Sequence, residues 1–370
     1  MSVCFALHFS RNASEVTDIR IAYNHLIAVS GKSLGRALRE AKYGGIVGHD
    51  FAGVVEELGP DVPEGMWTIG KRIAGLVLGI YDGRSSLLRM FLGTLPVLTQ
   101  TAASQVNGAF SEYLVANAEL GVVPIPDGWS FEEAAQLGVP PVTALQCLHE
   151  TLDLPSPFEA RSTAEQPHRT ILIWGGASAV GQYAVQFAKL CGLRVLTTAS
   201  SKNFDLVKGL GADEVFDYRD EGVVEKIRAA TGNALDIAID TISEGKTPAQ
   251  VTGAIGDKGG KVAIILPYES PRPNVKVTFS MVPDLLRRVR SVLPSLFVYG
   301  SSPLKGTDGK WCFDLLKQIL ATGKIQPVPV FVQPNGLAGV KEGLQYMQDG
   351  KVNRTRVQFT YLDADHKFAG

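Results

Sequence analysis

The sequence predicts an α/β protein in which a β-rich segment precedes a doubly wound parallel sheet. Three observations carry that prediction. From Ile171 onward, short apolar strands alternate with helices, the texture of a parallel sheet with crossover helices. The first of these strands runs into Gly176-Ala177-Ser178-Ala179-Val180-Gly181, a turn of small residues that opens a helix. Before it, residues up to Pro126 read as short strands punctuated by glycine.

In chain order, the β-rich part contains strand-like segments at Ile46 to Leu58, Gly70 to Leu78, Gly108 to Ala116 and Leu120 to Pro126. A helix starts after Ser130, with Glu133 three residues on as a capping box requires. It continues past Pro140-Pro141 as Val142 to Leu152. A polar, proline-containing loop leads to the first strand of the α/β part, Ile171 to Trp174. Further strands read at Arg194 to Thr198, Glu214 to Asp217, Leu235 to Asp240 and Lys261 to Leu266. Helices read at Val180 to Leu190, Phe204 to Leu210, Val223 to Ala230 and Pro248 to Ile255. The C-terminal part holds a helix at Trp311 to Leu320, a strand at Val328 to Val332, a helix at Leu337 to Met347 and a strand at Arg356 to Tyr361. Three units follow: 1–140, 141–310, and 311–370 returning to the first.

A length of 370 residues suits two domains. Hydrophobic content of 45% and charged content of 20% describe an ordinary globular chain. A net charge of -1 gives no electrostatic case for nucleic acid or an anionic membrane surface. No apolar run reaches the length of a membrane span, and no basic segment precedes the short apolar run near Met1. Cys4, Cys147, Cys191 and Cys312 are too dispersed for a local zinc knuckle or a disulfide framework. Reduced thiols and a cytoplasmic location are the expectation.

The turn from Gly176 to Gly181 is a variant of the dinucleotide fingerprint, in the strand–turn–helix context that motif needs. Gly176 is expected to make the tight turn. Ala177, Ser178 and Ala179 would let the backbone approach a pyrophosphate, and Gly181 would let helix and strand pack closely. The helix start at Val180 then offers free amides and a partial positive charge to phosphate. A bare strand–helix turn is the alternative. An NAD site usually places a carboxylate at the end of the second strand. Here that place holds Ser200-Ser201-Lys202-Asn203. Hydroxyls and an ammonium suit a 2′-phosphate, so NADPH is the expected cofactor. Lys202 as a solvated loop lysine and Ser200 as a helix cap are the plainer readings. Tyr218 follows the third strand, either near the adenine ribose or as an ordinary strand-end aromatic.

Several segments, in order, resemble the medium-chain dehydrogenase/reductase superfamily: GHDFAGVVEELG, GAFSEYLVA, PDGWSFEEAAQLGV, WGGASAVGQYAVQFAKL, LDIAIDTIS and GKVNRTRVQF. The match is closest to its zinc-independent, quinone-oxidoreductase-like branch. SSKNFDLVK together with VFDY resembles the trans-acting enoyl reductases of fungal polyketide biosynthesis. The resemblance implies a GroES-like β-barrel domain plus a Rossmann domain, with the active cleft between them. It implies cofactor contacts at Ala177 to Val180, Ser200 to Asn203 and Tyr218, with Ile265 and Leu266 flanking the nicotinamide, and Val352 and Asn353 near the C-terminus. It implies substrate contacts at Thr143, Leu145 and Gln146 and at Thr278, Phe279, Ser280, Met281 and Val282, each of which could equally be core packing. Zinc-dependent members carry Gly-His-Glu where this chain has Gly48-His49-Asp50. No cysteine stands at a matching upstream site, so no metal is expected and His49 reads as a packed histidine.

Three segments depart from the family. Met1 to Tyr43 lacks its opening strands and its NPTDWK segment, and Val16 to Lys42 within it reads as a basic, helix-compatible stretch. Arg84 to Asn107 is an insertion of apolar and hydroxyl residues, and Pro283 to Phe297 is a second, with the spacing of a basic amphipathic helix. Aberrant splicing and a lineage-specific lid or docking surface are the two explanations. The implied activity is NADPH-dependent reduction of an α,β-unsaturated thioester, free or carrier-bound, with a polyketide synthase as partner and the chain a monomer or homodimer. No residue stands out as the proton donor. The alternatives are a quinone or enone reductase with a diffusible substrate, and a dinucleotide-binding protein with an impaired site.

Overall fold

The structure is a computed structural model that describes residues 18–22, 27–28, 48–77, 108–111, 113–159, 169–280, 309–333, 335–349, 351–352 and 355–359. Both insertions, Cys4, Met281, Val282 and Asn353 lie outside the described residues.

The β-rich part forms an eight-stranded sheet. Its strands are β1 (Asp18–Ala22), β2 (Ile27–Ala28), β3 (Asp50–Leu58), β4 (Arg72–Leu76), β5 (Leu114–Asn117) and β6 (Val122–Pro124). The C-terminal strands β13 (Val330–Gln333) and β14 (Arg356–Phe359) join the same sheet, β14 pairing antiparallel with β2. β3 organises the sheet. It is flanked by β1 and β2, pairs β4 as well, and is buried on both faces. Phe51 and Val55 pack with Ile73, Val122 and Phe359 in the core of this part, whereas Ala52 packs with Ala74 and Leu76 in the core shared with the helices.

The N-terminal expectation needs correction. Met1 to Tyr43 does contain strands: β1 lies between β3 and β5, antiparallel to both. The sequence Asp18-Ile19-Arg20-Ile21-Ala22 alternates with the two-residue period of a strand, a signal too short to stand out within a long basic stretch. Gly108 to Ser111 is likewise not strand. The Ser111 hydroxyl bonds the carbonyls of Gly108 and Tyr113, which holds a turn there and delays the strand to Leu114.

The capping box is present. Ser130 Oγ accepts from the Glu133 amide at 3.1 Å and the Glu133 carboxylate accepts from the Ser130 amide at 2.8 Å, starting the short α1 (Phe131–Ala134). The following helix is not interrupted at Pro140-Pro141. α2 (Val139–Leu145) contains both prolines in its first turn, where no intrahelical donor is lost. It then widens into a π-helical stretch, Gln146–Thr151.

The second sheet has six parallel strands in the order β12-β11-β10-β7-β8-β9. They are β7 (Thr170–Trp174), β8 (Arg194–Ala199), β9 (Glu214–Asp217), β10 (Ile237–Asp240), β11 (Gly260–Ile264) and β12 (Val275–Phe279). The helices between them are α3 (Ala179–Leu190), α4 (Phe204–Gly209), α5 (Val223–Ala230) and α6 (Thr247–Ala254). β12 is not among the strands the sequence predicts; Thr278 and Phe279 lie at its end. The chain runs outward from β7 through β8 to β9, then crosses back to β10 on the other side of β7, so the order reverses between β7 and β10. Two arginines close the carbonyl end of α6. Arg272 donates to Thr252, Ile255 and Gly256, and Arg228 to Gly253 and Ile255.

α7 (Lys310–Ala321) and α8 (Val340–Gln348) complete the described C-terminal helices. Buried glutamines make long-range ties: within the β-rich part Gln136 donates to the Val328 carbonyl and Gln358 to that of Glu132, and Gln186 of α3 bonds Gln326 in both directions, joining the two parts. The tightest joint is Asp50. Its carboxylate, fully buried at the start of β3, accepts from the Val139 amide at 2.6 Å, at the N-terminus of α2. An anion is favoured there by the helix dipole. A Cβ on Gly138 would strike this carboxylate and the Gly75 carbonyl.

Asp50→Ala should lower unfolding free energy by about 2–3 kcal/mol, the range for a hydrogen bond to a charged group. Denaturant titration at neutral pH checks this, and a loss under about 0.5 kcal/mol would contradict it.

Candidate functional site

β7 ends in the turn Gly175 to Ser178. Gly175, not Gly176, makes the turn, with φ at 81°, a region where side chains other than glycine's are strained. Gly176 and Gly181 are close-approach positions: a Cβ on Gly176 would strike Thr197 on β8, and one on Gly181 would strike the Gly175 carbonyl. Ser178 caps α3, its hydroxyl accepting from the Gly181 amide at 2.9 Å. The same hydroxyl meets Thr241 Oγ1 at 2.8 Å, across the point where strand order reverses. Thr241 is anchored by bonds to the Trp174 and Gly175 carbonyls. The turn is therefore fixed by its own Ser178, by Thr241 just past β10 and by close packing on Thr197 of β8. Among the described residues, no backbone hydrogen bond uses the amides of Ala177, Ala179 or Val180. All three residues are half-exposed at the start of a helix of 12 residues. Free amides at a helix N-terminus and a switch point are the arrangement that receives a dinucleotide diphosphate.

The end of β8 divides the four predicted residues into two pairs. Ser200 and Asn203 are buried and bonded to each other, Nδ2 to Oγ at 3.2 Å. Ser201 and Lys202 are exposed on the 3₁₀ turn between them. Lys202 enters no ion pair among the described residues. Tyr218, at the end of the neighbouring β9, is 39% exposed.

On the other side of the reversal, β10 ends in a carboxylate. Asp240 is fully buried and accepts from the amides of Ile242 and Ser243 and from the Thr247 hydroxyl. Burial holds its carboxyl above the usual range, and those hydrogen bonds oppose the shift. Ser243 Oγ in turn accepts from the Ile265 amide at 3.0 Å. The buried Asp240 thus fixes the turn that positions Ile265, which with Leu266 is half-buried just past β11. This Asp240–Ser243–Ile265 chain was not read from the sequence; the DTIS that follows the apolar strand was its signal.

The described substrate residues of the sequence reading lie on two elements, α2 with its π-helical extension and β12. Thr143 is buried on α2, donating to the Val139 carbonyl at 2.7 Å. Gln146 is buried one turn on, and Leu145 is fully buried in the main core, which supports its packing role. Thr278, Phe279 and Ser280 lie on or just past the edge strand β12, Phe279 paired with Ile264. Ser280 Oγ meets Thr151 Oγ1 at 2.7 Å and so joins that edge to the π-helical stretch. The same stretch carries Cys147, whose thiol burial pushes up to about 12. Val352 is half-buried against the core of the first sheet.

Among the described residues, His49 has no set of metal ligands gathered around it. His49 Nδ1 is 3.1 Å from the Val77 carbonyl, to which it must donate. Among the described residues, no three His, Cys, Asp or Glu side chains gather as a metal set. Cys147, Cys191 and Cys312 are free thiols, all buried. No helix of the described residues is long and apolar enough to cross a membrane.

Comparison with known proteins agrees with this geometry. Residues 11–127 match the alcohol dehydrogenase GroES-like domain, and residues 179–304 match the family described as zinc-binding dehydrogenase. The chain is 36% identical to the trans-enoyl reductase ACTTS2 of Alternaria alternata, over 85% of this chain and 83% of that one. It is 32% identical to the trans-enoyl reductase buaC of Petromyces alliaceus, over 86% and 83%. The solved structure of CurK enoyl reductase superposes with a TM-score of 0.66 at 20% identity, covering 95% of this chain and 93% of that one, a likeness of fold. The barrel-plus-Rossmann architecture, the dinucleotide turn at the switch point and these relatives together place the chain in the medium-chain dehydrogenase/reductase superfamily, as a member of its trans-enoyl reductase family.

Proposed function

We propose that this chain is an NADPH-dependent enoyl reductase that acts in trans on an α,β-unsaturated thioester carried by a polyketide synthase. One observation carries the reading. A switch-point turn with three unused amides lies one strand from an exposed, unpaired Lys202, in a chain that shares 36% identity with a trans-enoyl reductase. When bound, the dinucleotide supplies a hydride to the β-carbon of the enoyl group, and the resulting enolate takes a proton at its α-carbon.

The protein's part is binding and orientation. The amides of Ala177, Ala179 and Val180 and the dipole of α3 hold the diphosphate. Ser201 and Lys202 hold the 2′-phosphate. Ser200 and Asn203 shape their turn from beneath. Gly176 and Gly181 keep strand and helix close, and Ile265 and Leu266 pack beside the nicotinamide. Val352 approaches the cofactor from the C-terminal segment. Thr143, Gln146, Thr278, Phe279 and Ser280 line the acyl side. Among the described residues no acid or base has a geometry that marks it as the proton donor, and no catalytic residue is assigned.

A quinone or enone reductase would share the cofactor site and differ at the acyl end. The discriminating experiment follows NADPH absorbance with a crotonyl thioester and with a small quinone. Turnover of the thioester at a kcat/KM at least about tenfold above the quinone is expected. The reverse ratio would overturn the thioester reading. In binding, the unmodified chain should prefer NADPH to NADH. Lys202→Ala should weaken NADPH about 10- to 150-fold, the equivalent of the roughly 1.5–3 kcal/mol of a charge-assisted hydrogen bond. NADH binding should barely change. Equal affinity for the two cofactors in the unmodified chain would contradict it.

A further inference from the structure

The end of β9 carries a second cation that the cofactor reading does not use. Parallel pairing sets Ala199 of β8 opposite Asp217 of β9. Neighbouring strands lie about 4.8 Å apart, so the turn Ser200-Ser201-Lys202 and the turn Tyr218-Arg219 leave the sheet side by side. Arg219 is exposed, and its guanidinium carbon lies 4.9 Å from the centroid of the Tyr218 ring, within the range of a cation–π contact. Neither Lys202 nor Arg219 enters an ion pair among the described residues.

This turn is built rather than loose. The Asp217 carboxylate accepts from the Arg219 amide at 2.9 Å, and the Asp217 carbonyl accepts from the Asp220 amide at 3.1 Å. Asp220 accepts from the Gly222 amide at 2.8 Å and is paired with Lys226. The chain is therefore pinned on both sides of Arg219. The Asp217 carboxylate, the one acid at this strand end in register with β8, is turned onto the backbone of its own turn. An acid one residue before Arg219's ring partner would oppose an incoming phosphate, and an arginine beside it offsets that charge.

We propose that Arg219 is a specificity-determining residue: with Lys202 it forms a two-cation clamp on the cofactor's 2′-phosphate, held in place by the Tyr218 ring. The proposal rests on the NADPH reading above. Arginine suits the role because its planar fork can meet two phosphate oxygens while its flat face stays on an aromatic ring. Asp217 is a positioning residue, acting through the turn. The clamp gives the site two positive charges from two strands, so a small shift of either turn leaves one contact in place.

The test measures binding of 2′,5′-ADP and of ADP, and of NADPH and NADH, by calorimetry at low and moderate salt. The full chain is compared with Arg219→Ala, Arg219→Lys and Lys202→Ala. Arg219→Ala should weaken 2′,5′-ADP and NADPH about tenfold or more and leave ADP and NADH within about twofold. It should also flatten the salt dependence of NADPH binding. Arg219→Lys should recover part of the loss, since it keeps the charge and loses the fork. If the unmodified chain prefers NADPH and Arg219→Ala keeps that preference, the clamp is wrong and Lys202 acts alone. If Arg219→Ala weakens all four ligands equally, Arg219 only supports the fold of the turn, and the clamp is again wrong. If the unmodified chain shows no preference for 2′,5′-ADP over ADP, the NADPH reading fails first and takes the clamp with it.

Discussion

The buried carboxylate of Asp50 is the joint on which this architecture depends. It lies at the first residue of β3, the strand around which the eight-stranded sheet is arranged. Its partner is the first amide of α2, the helix that leads from the barrel part into the layer packed against the parallel sheet. A fully buried carboxylate is costly unless it is hydrogen-bonded and offset by positive charge, and a helix N-terminus supplies both. The joint requires a residue without a side chain at Gly138, and it sets Thr143 one turn along the same helix. His49, one residue before Asp50, has its ring turned onto the Val77 carbonyl. His49 and Asp50 thus each help to hold strands and helix together.

The cofactor end is organised by the same principle of buried polar anchors. Asp240 on β10 fixes the turn that holds Ile265, and Ser178 and Thr241 bridge the reversal of strand order. These groups need not touch the dinucleotide. They place the amides and apolar walls that would, which is how binding geometry becomes rigid enough to orient a hydride. Burial raises the carboxyl of Asp240 above its usual range, and the three donors that surround it oppose that shift.

These anchors were not legible in the sequence, but much of the fold was, because it rests on local patterns. Alternation of strand and helix fixed five of the six parallel strands, and the Ser130–Glu133 capping box was readable directly. β12 was not legible, because Val275 to Phe279 follows a proline-containing loop and has no helix before it to mark a crossover. β1 was hidden because five alternating residues within a basic stretch are weak evidence until a partner strand is known. The tight turn was assigned one glycine late: the φ of Gly175 depends on where β7 ends, not on residue type. Arg219 could not be found at all without the register that sets Asp217 against Ala199. Long-range pairings of this kind leave no trace in spacing along the chain.

The central claim is that this fold directs a hydride to the β-carbon of an enoyl thioester, the α-carbon taking a solvent-exchangeable proton. The most direct measurement uses NADPH deuterated at C4 of the nicotinamide with a crotonyl thioester, and locates the label in the saturated product by mass spectrometry and NMR. The account predicts one deuterium at the β-carbon in ordinary water, and one at the α-carbon when unlabelled NADPH is used in heavy water. A saturated product with no cofactor-derived deuterium at the β-carbon, or NADPH consumed without any saturated thioester, would contradict it.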